Sequence, residues 1–414
     1  MGQYLSRLFG GGRSADPPAG APPTFEEAPP PSTTAPTQTK PTPADTQTQA
    51  GSEAAAAAPA PPAEKKPVYS WEKKRRDPKD FIFSKRTNEV LVKEKGSIAG
   101  QQFVIEECEG CDIFVLDWTD SITVDECKDC RLFVGPVAGS IFIRDCTSLQ
   151  CHIVCQQFRC RDLKDCDIAL HVTTEPVIES SSSLRIGCLD FTYDGLDEHM
   201  RAANLSPFSN KWWQVFDFSK KDGETHWTPL KQAESSKIVD TAQGKCTQAI
   251  GRAGGKGQTW ALPVVLGPLD LPPAATQGKC VILFCAGGEE ATESGVATVR
   301  SGALLSAVQK NRDEWHVLKS RALVAGTKRL TEGFGLSEGA VESLMKSKAK
   351  KKKGGVEVSA LLLGGASVTA AVEAEVKKSS ELSGWKDEGL LRVCGGPEGE
   401  ELEALVFEVW KDEI

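Results

Sequence analysis

Two groups of residues in this 414-residue sequence carry chemistry in their types and spacing. Cys108-x-x-Cys111 and Cys127-x-x-Cys130 are separated by 15 residues, inside the window for a four-thiolate zinc site. Gln156-Gln157-Phe158-Arg159-Cys160-Arg161 places two guanidinium groups and two amides within six residues. A guanidinium is a planar fork of donors that matches anionic oxygens. Whether either group is a site depends on the elements that hold it.

Ten of the 14 cysteines fall between 108 and 188, and none lies in residues 1 to 67, which hold 14 of the 24 prolines. The cysteine-rich stretch repeats. Phe103-Val104-Ile105-Glu106-Glu107-Cys108-Glu109-Gly110-Cys111 returns as Ile122-Thr123-Val124-Asp125-Glu126-Cys127-Lys128-Asp129-Cys130 and as Ile141-Phe142-Ile143-Arg144-Asp145-Cys146-Thr147-Ser148-Leu149, at a step of 19. Steps of 17 then place Leu163 and Cys166, and next Ser180 and Ser183, in the two cysteine columns. Columns that accept Cys, Leu or Ser are selected for small size and burial, which speaks against metal. A 17 to 19-residue period with alternating segments and no helical pattern predicts a right-handed parallel β-helix. Ile105, Val124 and Ile143 form one interior column, and Ile113, Leu132 and Cys151 another.

In that register the position stepping through Ser121 and Ser140 becomes Arg159, and Cys160 joins the interior column of Ile122 and Ile141. Alternation along the strand sends Phe158 inward and Gln157, Arg159 and Arg161 outward, beside a small patch at Gly139 and Ser140. The plain alternative is a polar sheet face with both arginines paired to acids.

The net charge of −8 excludes a globally basic nucleic-acid footprint, and nucleic acid is not expected as a partner. No apolar run reaches the 18 residues of a spanning helix, and no secretory signal is recognised. Met1-Gly2-Gln3-Tyr4-Leu5-Ser6 fits an N-myristoylation signal with Gly2 acylated. One myristoyl chain binds membrane only marginally, and the basic run Lys346 to Lys353 is a candidate second signal against a solvated-loop alternative. Residues 1 to 66 read as a lipidated disordered tether. The remaining segments are 67–230, a β-helix domain; 231–278, a linker; and 279–414, an α/β domain.

Gly96-Ser97-Ile98-Ala99-Gly100-Gln101-Gln102-Phe103, the cysteine repeat, Gln156-Gln157-Phe158-Arg159 and Ile178-Glu179-Ser180-Ser181-Ser182 resemble the tubulin-binding cofactor C domain. With Tyr69-Ser70-Trp71 and Asp77-Pro78-Lys79-Asp80 they resemble the X-linked retinitis pigmentosa protein family, over roughly residues 67 to 230. That resemblance implies a GTPase activator for an Arf-like small GTPase in traffic of lipidated cargo. Arg159 matches the family's arginine finger and Gln157 its partner glutamine. Gln156 and Phe158 complete the motif, while Glu179 matches the GTPase-contacting surface, with Gly139, Ser140 and Arg161 facing the same partner. The protein itself is then no enzyme and needs no cofactor, GTP and Mg belonging to the GTPase. The resemblance also implies tubulin as a further partner, and a location at the cytoplasmic face of plasma or ciliary membrane, the basal body region and the cytoplasm. Family relatives carry a palmitoylated Cys where this chain has Gln3.

From Cys280 strands and helices alternate, with strands at 281–285, 315–324, 356–363 and 390–394 and helices at 304–312, 337–345, 367–378 and 400–410. This resembles the ferredoxin-like nucleoside diphosphate kinase domain of the same family. A phosphotransferase reading lacks a phospho-acceptor, because His316 is the only histidine there and lies on the second strand. A non-catalytic GTPase-binding adaptor is the other alternative. Gly251-Arg252-Ala253-Gly254-Gly255-Lys256-Gly257-Gln258-Thr259 lacks phosphate-loop spacing and is expected to be linker.

Overall fold

The computed structural model describes residues 77–246, 249–252, 262–269, 271, 273–285, 302–311, 314–325, 327–346, 356–387 and 391–409. Gly2, the tail, the basic run after Lys346 and most of the glycine-rich stretch lie outside the described residues.

The first part is a parallel β-solenoid with two strand columns. One column runs through β1 (Ile82–Ser84), β3 (Phe103–Glu106), β5 (Ile122–Asp125) and the C-terminal half of β6 (Arg131–Arg144). The other runs through β2 (Val90–Lys93), β4 (Asp112–Val115) and the N-terminal half of β6. β7 (Gln150–Arg161) also spans both columns; β8 (Asp167–Val172) and β10 (Leu184–Cys188) extend the second, and β9 (Val177–Glu179) the first. Every rung pairs in parallel with the next, so backbone donors and acceptors are satisfied between rungs. Identical positions therefore stack about 4.8 Å apart. Ile105, Val124, Ile143, Cys160 and Ile178 form one such buried stack. Ile113, Leu132, Cys151, Ile168 and Ile186 form the other.

The corners explain the cysteines. Each corner carries two residues with positive φ, three apart: Glu107 and Gly110, Glu126 and Asp129, Asp145 and Ser148, Asp162 and Asp165, Ser180 and Ser183. The next side chain turns inward, and where it is Cys or Ser it hydrogen-bonds the frame. Cys146 Sγ donates to the Arg144 carbonyl at 2.9 Å and accepts the Cys127 N–H at 3.3 Å. Ser181 Oγ accepts the Leu163 N–H at 3.0 Å and donates to the Glu179 carbonyl at 2.8 Å. Cys130 and Cys166 accept from Cys111 and Leu149 in the same way. Small size and burial thus describe only part of the selection; the thiol also partners a corner N–H. Burial pushes the Cys130 thiol up to about 12 and the Cys166 thiol to about 11. Among the described residues no group of three or more His, Cys, Asp or Glu side chains is placed to hold a metal ion.

Two register expectations are corrected. Ladder bridges step from Glu109 to Lys128, Thr147, Lys164 and Ser182, so the last step is 18 residues. Ser181 and Leu184, both buried, therefore continue the cysteine columns, and Ser180 and Ser183 are the positive-φ residues preceding them. Between β6 and β7 the offset is 19 at Val134 and Ile153, 18 at Val137 and Cys155, and 17 at Ser140 and Gln157, with two register shifts on the way. Cys160 consequently stacks on Ile143 rather than Ile141, and Phe158 takes the Ile122–Ile141 column.

The outer side of the second column carries Phe114, Phe133 and His152, stacked at 5.0 and 5.3 Å. It packs with helices α1 (Leu196–Ala202) and α2 (Gln232–Ala242) in one buried cluster containing Met200 and Val239. Residues 231–278, expected as a linker, thus contribute α2, through buried Ile238, Val239 and Ala242. They also add β14 (Ile250–Gly251) to β11 (Thr192–Tyr193). The solenoid's last rung is β12 (Phe216–Asp217) on β9 and β13 (Trp227–Pro229) on β10.

The C-terminal part is a four-stranded antiparallel sheet in the order β16 (His316–Ala325), β17 (Val356–Gly364), β15 (Lys279–Cys285), β18 (Leu391–Gly395). That is the ferredoxin-like strand order. Helices α3 (Gly302–Lys310), α5 (Val368–Lys378) and α6 (Ser380–Asp387) cover one face. The other face packs against Leu330, Phe334, Val341 of α4 (Glu338–Lys346) and Leu402 of α7 (Gly396–Glu403). The sequence reading places all four strands within two residues of their ends here and misses α6.

Candidate functional site

The site is the outward side of the first column. Alternation about buried Phe158 and Cys160 leaves Arg159 exposed and Gln157 and Arg161 partly exposed. Gln156, within β7 and one residue before Gln157, is exposed, and its carbonyl accepts from the Thr173 and Thr174 hydroxyls at 3.2 and 3.0 Å. The register places Gln157 beside Ser140 and Arg159 between Phe142 and Val177. Arg161 lies between Arg144 and Glu179. The expected pairing of Ser140 with Arg159 is therefore corrected: Ser140 flanks Gln157. The same two-residue offset as above is the cause. Gly139 lies tight against the preceding rung, where a Cβ would stand 3.0 Å from the Asp120 carbonyl oxygen.

Charge pairing separates Arg159 from its neighbours. Arg144 makes a two-bond fork to Asp125 at 2.7 and 2.6 Å. Arg161 pairs with Asp162 at 3.2 Å; in the second column, too, Arg131 pairs with Asp112 at 2.5 Å and Arg185 with Asp167 at 2.6 Å. Arg159 has no hydrogen-bond or carboxylate partner among the described residues, and its lateral neighbours Phe142 and Val177 offer none. The plain alternative, both arginines paired, holds for Arg161 and fails for Arg159.

One component escaped the sequence reading. β12 extends the outward column past Val177, so Phe216 stands two rungs, about 10 Å, from Arg159. Phe216 is 53% exposed and Phe218 70%, with rings 6.2 Å apart. The signal was the alternation Val215-Phe216-Asp217-Phe218, which a loosening repeat obscures.

The glycine-flanked segment 96–100 supports the frame. The buried Asp117 carboxylate accepts the N–H groups of Ile98, Ala99 and Trp118 at 2.8, 2.7 and 3.0 Å. His199, whose affinity for a proton burial lowers, lies 3.5 Å from it and bonds Tyr193 Oη at 2.8 Å. Gly100 adopts φ +78 under the Trp118 ring, a conformation and space open to glycine.

Residues 100–218 match the family model described as tubulin binding cofactor C. Protein XRP2 of Danio rerio is 52% identical over 165 residues, 40% of this chain and 44% of that protein. Residues 100–218 thus form a tubulin binding cofactor C domain similar to that of the XRP2 proteins. Protein XRP2 of Homo sapiens is 46% identical over 170 residues, covering 41% of this chain and 49% of that protein. Tubulin-specific chaperone C of Bos taurus is 25% identical over 155 residues, 37% and 45% of the two chains. The chain thus spans about half the length of the curated relatives it matches. A solved structure, tubulin binding cofactor C from Leishmania major, is similar at a TM-score of 0.27 and 21% identity, over 37% of this chain and 90% of that one.

Proposed function

We propose that this chain is a GTPase-activating protein for an Arf-like small GTPase, with Arg159 as the finger supplied in trans and Gln157 beside it. The observation that carries the reading is the unpaired, exposed guanidinium on a face whose other arginines, Arg144 and Arg161, are held by carboxylates. An arginine tied to an acid must break that pair before it meets an anionic oxygen; Arg159 has none to break. GTP and its Mg belong to the partner. Hydrolysis is limited by placement of water and by charge on the transferring phosphoryl oxygens, and an arginine delivered in trans is worth roughly 10^3 to 10^5 in rate. Phe216 and Phe218 add an apolar patch on the same side, able to exclude water around the guanidinium.

Glu179, Arg161, Gln156, Gly139 and Ser140 line the face toward the GTPase. The tubulin-specific chaperone relatives make tubulin a second candidate partner. Myristate on Gly2 ties the activator to the cytoplasmic side of plasma or ciliary membrane, where lipidated cargo is moved. The test is GTP hydrolysis by a panel of Arf-like proteins with and without the full chain. Faster turnover of at least one member is expected, and no acceleration of any member overturns the reading. A non-catalytic adaptor would bind through Phe216 and Phe218 and leave the hydrolysis rate unchanged.

A further inference from the structure

The docking edge that carries Phe216 and Phe218 rests on a small polar lock behind it. Asp217, between the two rings, points inward with only 7% of its side chain exposed. Its Oδ1 accepts the Ser219 N–H at 3.1 Å and the Ser219 hydroxyl at 3.2 Å, and Ser219 Oγ accepts the Ser180 N–H at 2.8 Å. Its Oδ2 meets His226 Nδ1 at 2.8 Å. The other ring nitrogen, Nε2, meets Glu224 Oε2 at 3.2 Å. His226 is tied to the last full rung through its carbonyl, which accepts the Leu184 N–H at 3.0 Å. The loop between β12 and β13 therefore closes on the solenoid through this imidazole. Beside it lies a cavity of about 290 Å³ lined by Val215, Phe216, Asp217, Lys220, His226 and Trp227.

The chemistry of the lock is unusual in one respect. A carboxylate only accepts, and a neutral imidazole has a single N–H to donate. Two carboxylates on one ring are both satisfied only by the imidazolium, with a proton on each nitrogen. The other charged or titratable groups near the ring are Lys220 across the cavity and, behind Asp217, the Cys160 thiol of β7, which burial pushes up to about 12. Neither is an acceptor for the second proton.

We propose that His226 is a positioning residue for the docking edge: its doubly protonated ring holds Asp217 and Glu224 together, seats β12 against β9, and makes partner engagement tighten as pH falls and loosen as it rises. This rests on the reading of the Phe216–Phe218 edge as GTPase-facing. The lock acts through β12 and touches no reacting atom, so its effect falls on the concentration of activator needed for half-maximal stimulation.

Two arms test it on the full chain. The first needs no partner: nitrogen-resolved NMR of the histidine rings, with hydrogen exchange at Phe216 and Phe218. Expected are two protonated ring nitrogens on His226 at pH 6, loss of one on raising pH, and faster exchange of both amides with that loss. A ring carrying one proton throughout pH 6 to 8.5, or exchange that ignores the change, overturns the lock. The second arm measures half-saturation on whichever Arf-like GTPase the chain stimulates. Loss of one charge-assisted hydrogen bond predicts a rise of about tenfold from pH 6 to 8.5 in the parent chain. His226→Gln and Glu224→Gln should flatten that profile while circular dichroism confirms the fold. A parent-like slope in both variants overturns the positioning role. If no GTPase responds to the parent chain, the activator reading fails, while the NMR arm still decides the lock.

Discussion

The solenoid repeats one solution to burial and the C-terminal sheet uses a different one at every position, and this difference decides what can be read from each. In the solenoid, Ile105, Val124, Ile143, Cys160 and Ile178 occupy one environment five times over. A residue that does not fit its column is visible against that background. The C-terminal strands are buried on both faces: Val281 and Leu283 pack toward one helical layer, Cys280, Ile282 and Phe284 toward the other. No column exists there to be broken, and among the described residues none stands out. The lesson is that periodic folds expose functional residues as exceptions, whereas sandwiched sheets conceal them within general burial.

The largest test of that contrast is Arg159 itself. Arg159→Ala should lower maximal GTPase stimulation by roughly 10^3 to 10^5, about 4 to 7 kcal/mol of transition-state stabilisation. Arg159→Lys should recover little, since an ammonium lacks the planar fork. Single-turnover hydrolysis reads the rate, and thermal unfolding should stay within about 0.5 kcal/mol of the parent because the side chain is exposed and unpaired. Retained stimulation by the Ala variant would break the claim that the exception in the ladder is the functional residue.

Acid should separate the two regions next. His152 and His171 are fully buried in the solenoid, and burial lowers each from 6.5 to about 4. Their Nε2 atoms bond the Ser235 and Ser206 carbonyls, while each Nδ1 has no partner among the described residues. The unfolded chain takes up protons on these rings below pH 6.5 and the folded chain does not until about 4. Stability is therefore full above 6.5 and falls between 6.5 and 4, by at most about 3 kcal/mol per ring. Unfolding followed by Trp fluorescence and hydrogen exchange should show solenoid amides losing protection in that window ahead of β15 and β17.

How much of this was legible follows from the same contrast. The period fixed the fold, the interior columns and the outward direction of Arg159, because inward and outward alternate whatever the rung length. It misplaced the lateral neighbour of Arg159, since two register shifts between Val134 and Ser140 remove two residues without disturbing the apolar pattern. Alternation is a period of two, so a two-residue slip leaves every side chain on its original face. Phe216 and Phe218 were missed because β12 is two residues long, with Phe218 just beyond it, and returns to the sheet 37 residues after the end of β9. In the C-terminal domain strand limits were legible from apolar runs, yet the chemistry was not.

The cysteine corners sharpen the comparison at smaller scale. Cys146→Ser keeps an atom that accepts the Cys127 N–H, as Ser181 does for Leu163, and should cost no more than about 1 kcal/mol. Cys146→Val fills the space but strands that N–H, at about 1 to 3 kcal/mol. Urea unfolding distinguishes the two. A Val variant as stable as the Ser variant would return the column to simple small-residue packing.

The smallest expected effect concerns Arg161, two residues from Arg159 and held by Asp162 at 3.2 Å. Both side chains are more than 40% exposed, so Asp162→Asn should change stability by no more than about 0.5 kcal/mol. The substitution nevertheless frees a second guanidinium on the same strand. In an Arg159→Ala background it asks whether any unpaired arginine on this face can act. Arg161 stands about 6.6 Å further along the strand, in the column of Arg144 and Glu179 and away from Gln157. A guanidinium displaced that far from Gln157 should not restore hydrolysis, and single-turnover rates of the double variant should match those of Arg159→Ala. Recovery of even a tenth of the parent rate would show that freedom from a carboxylate, rather than placement beside Gln157, is what makes an arginine on this sheet catalytic.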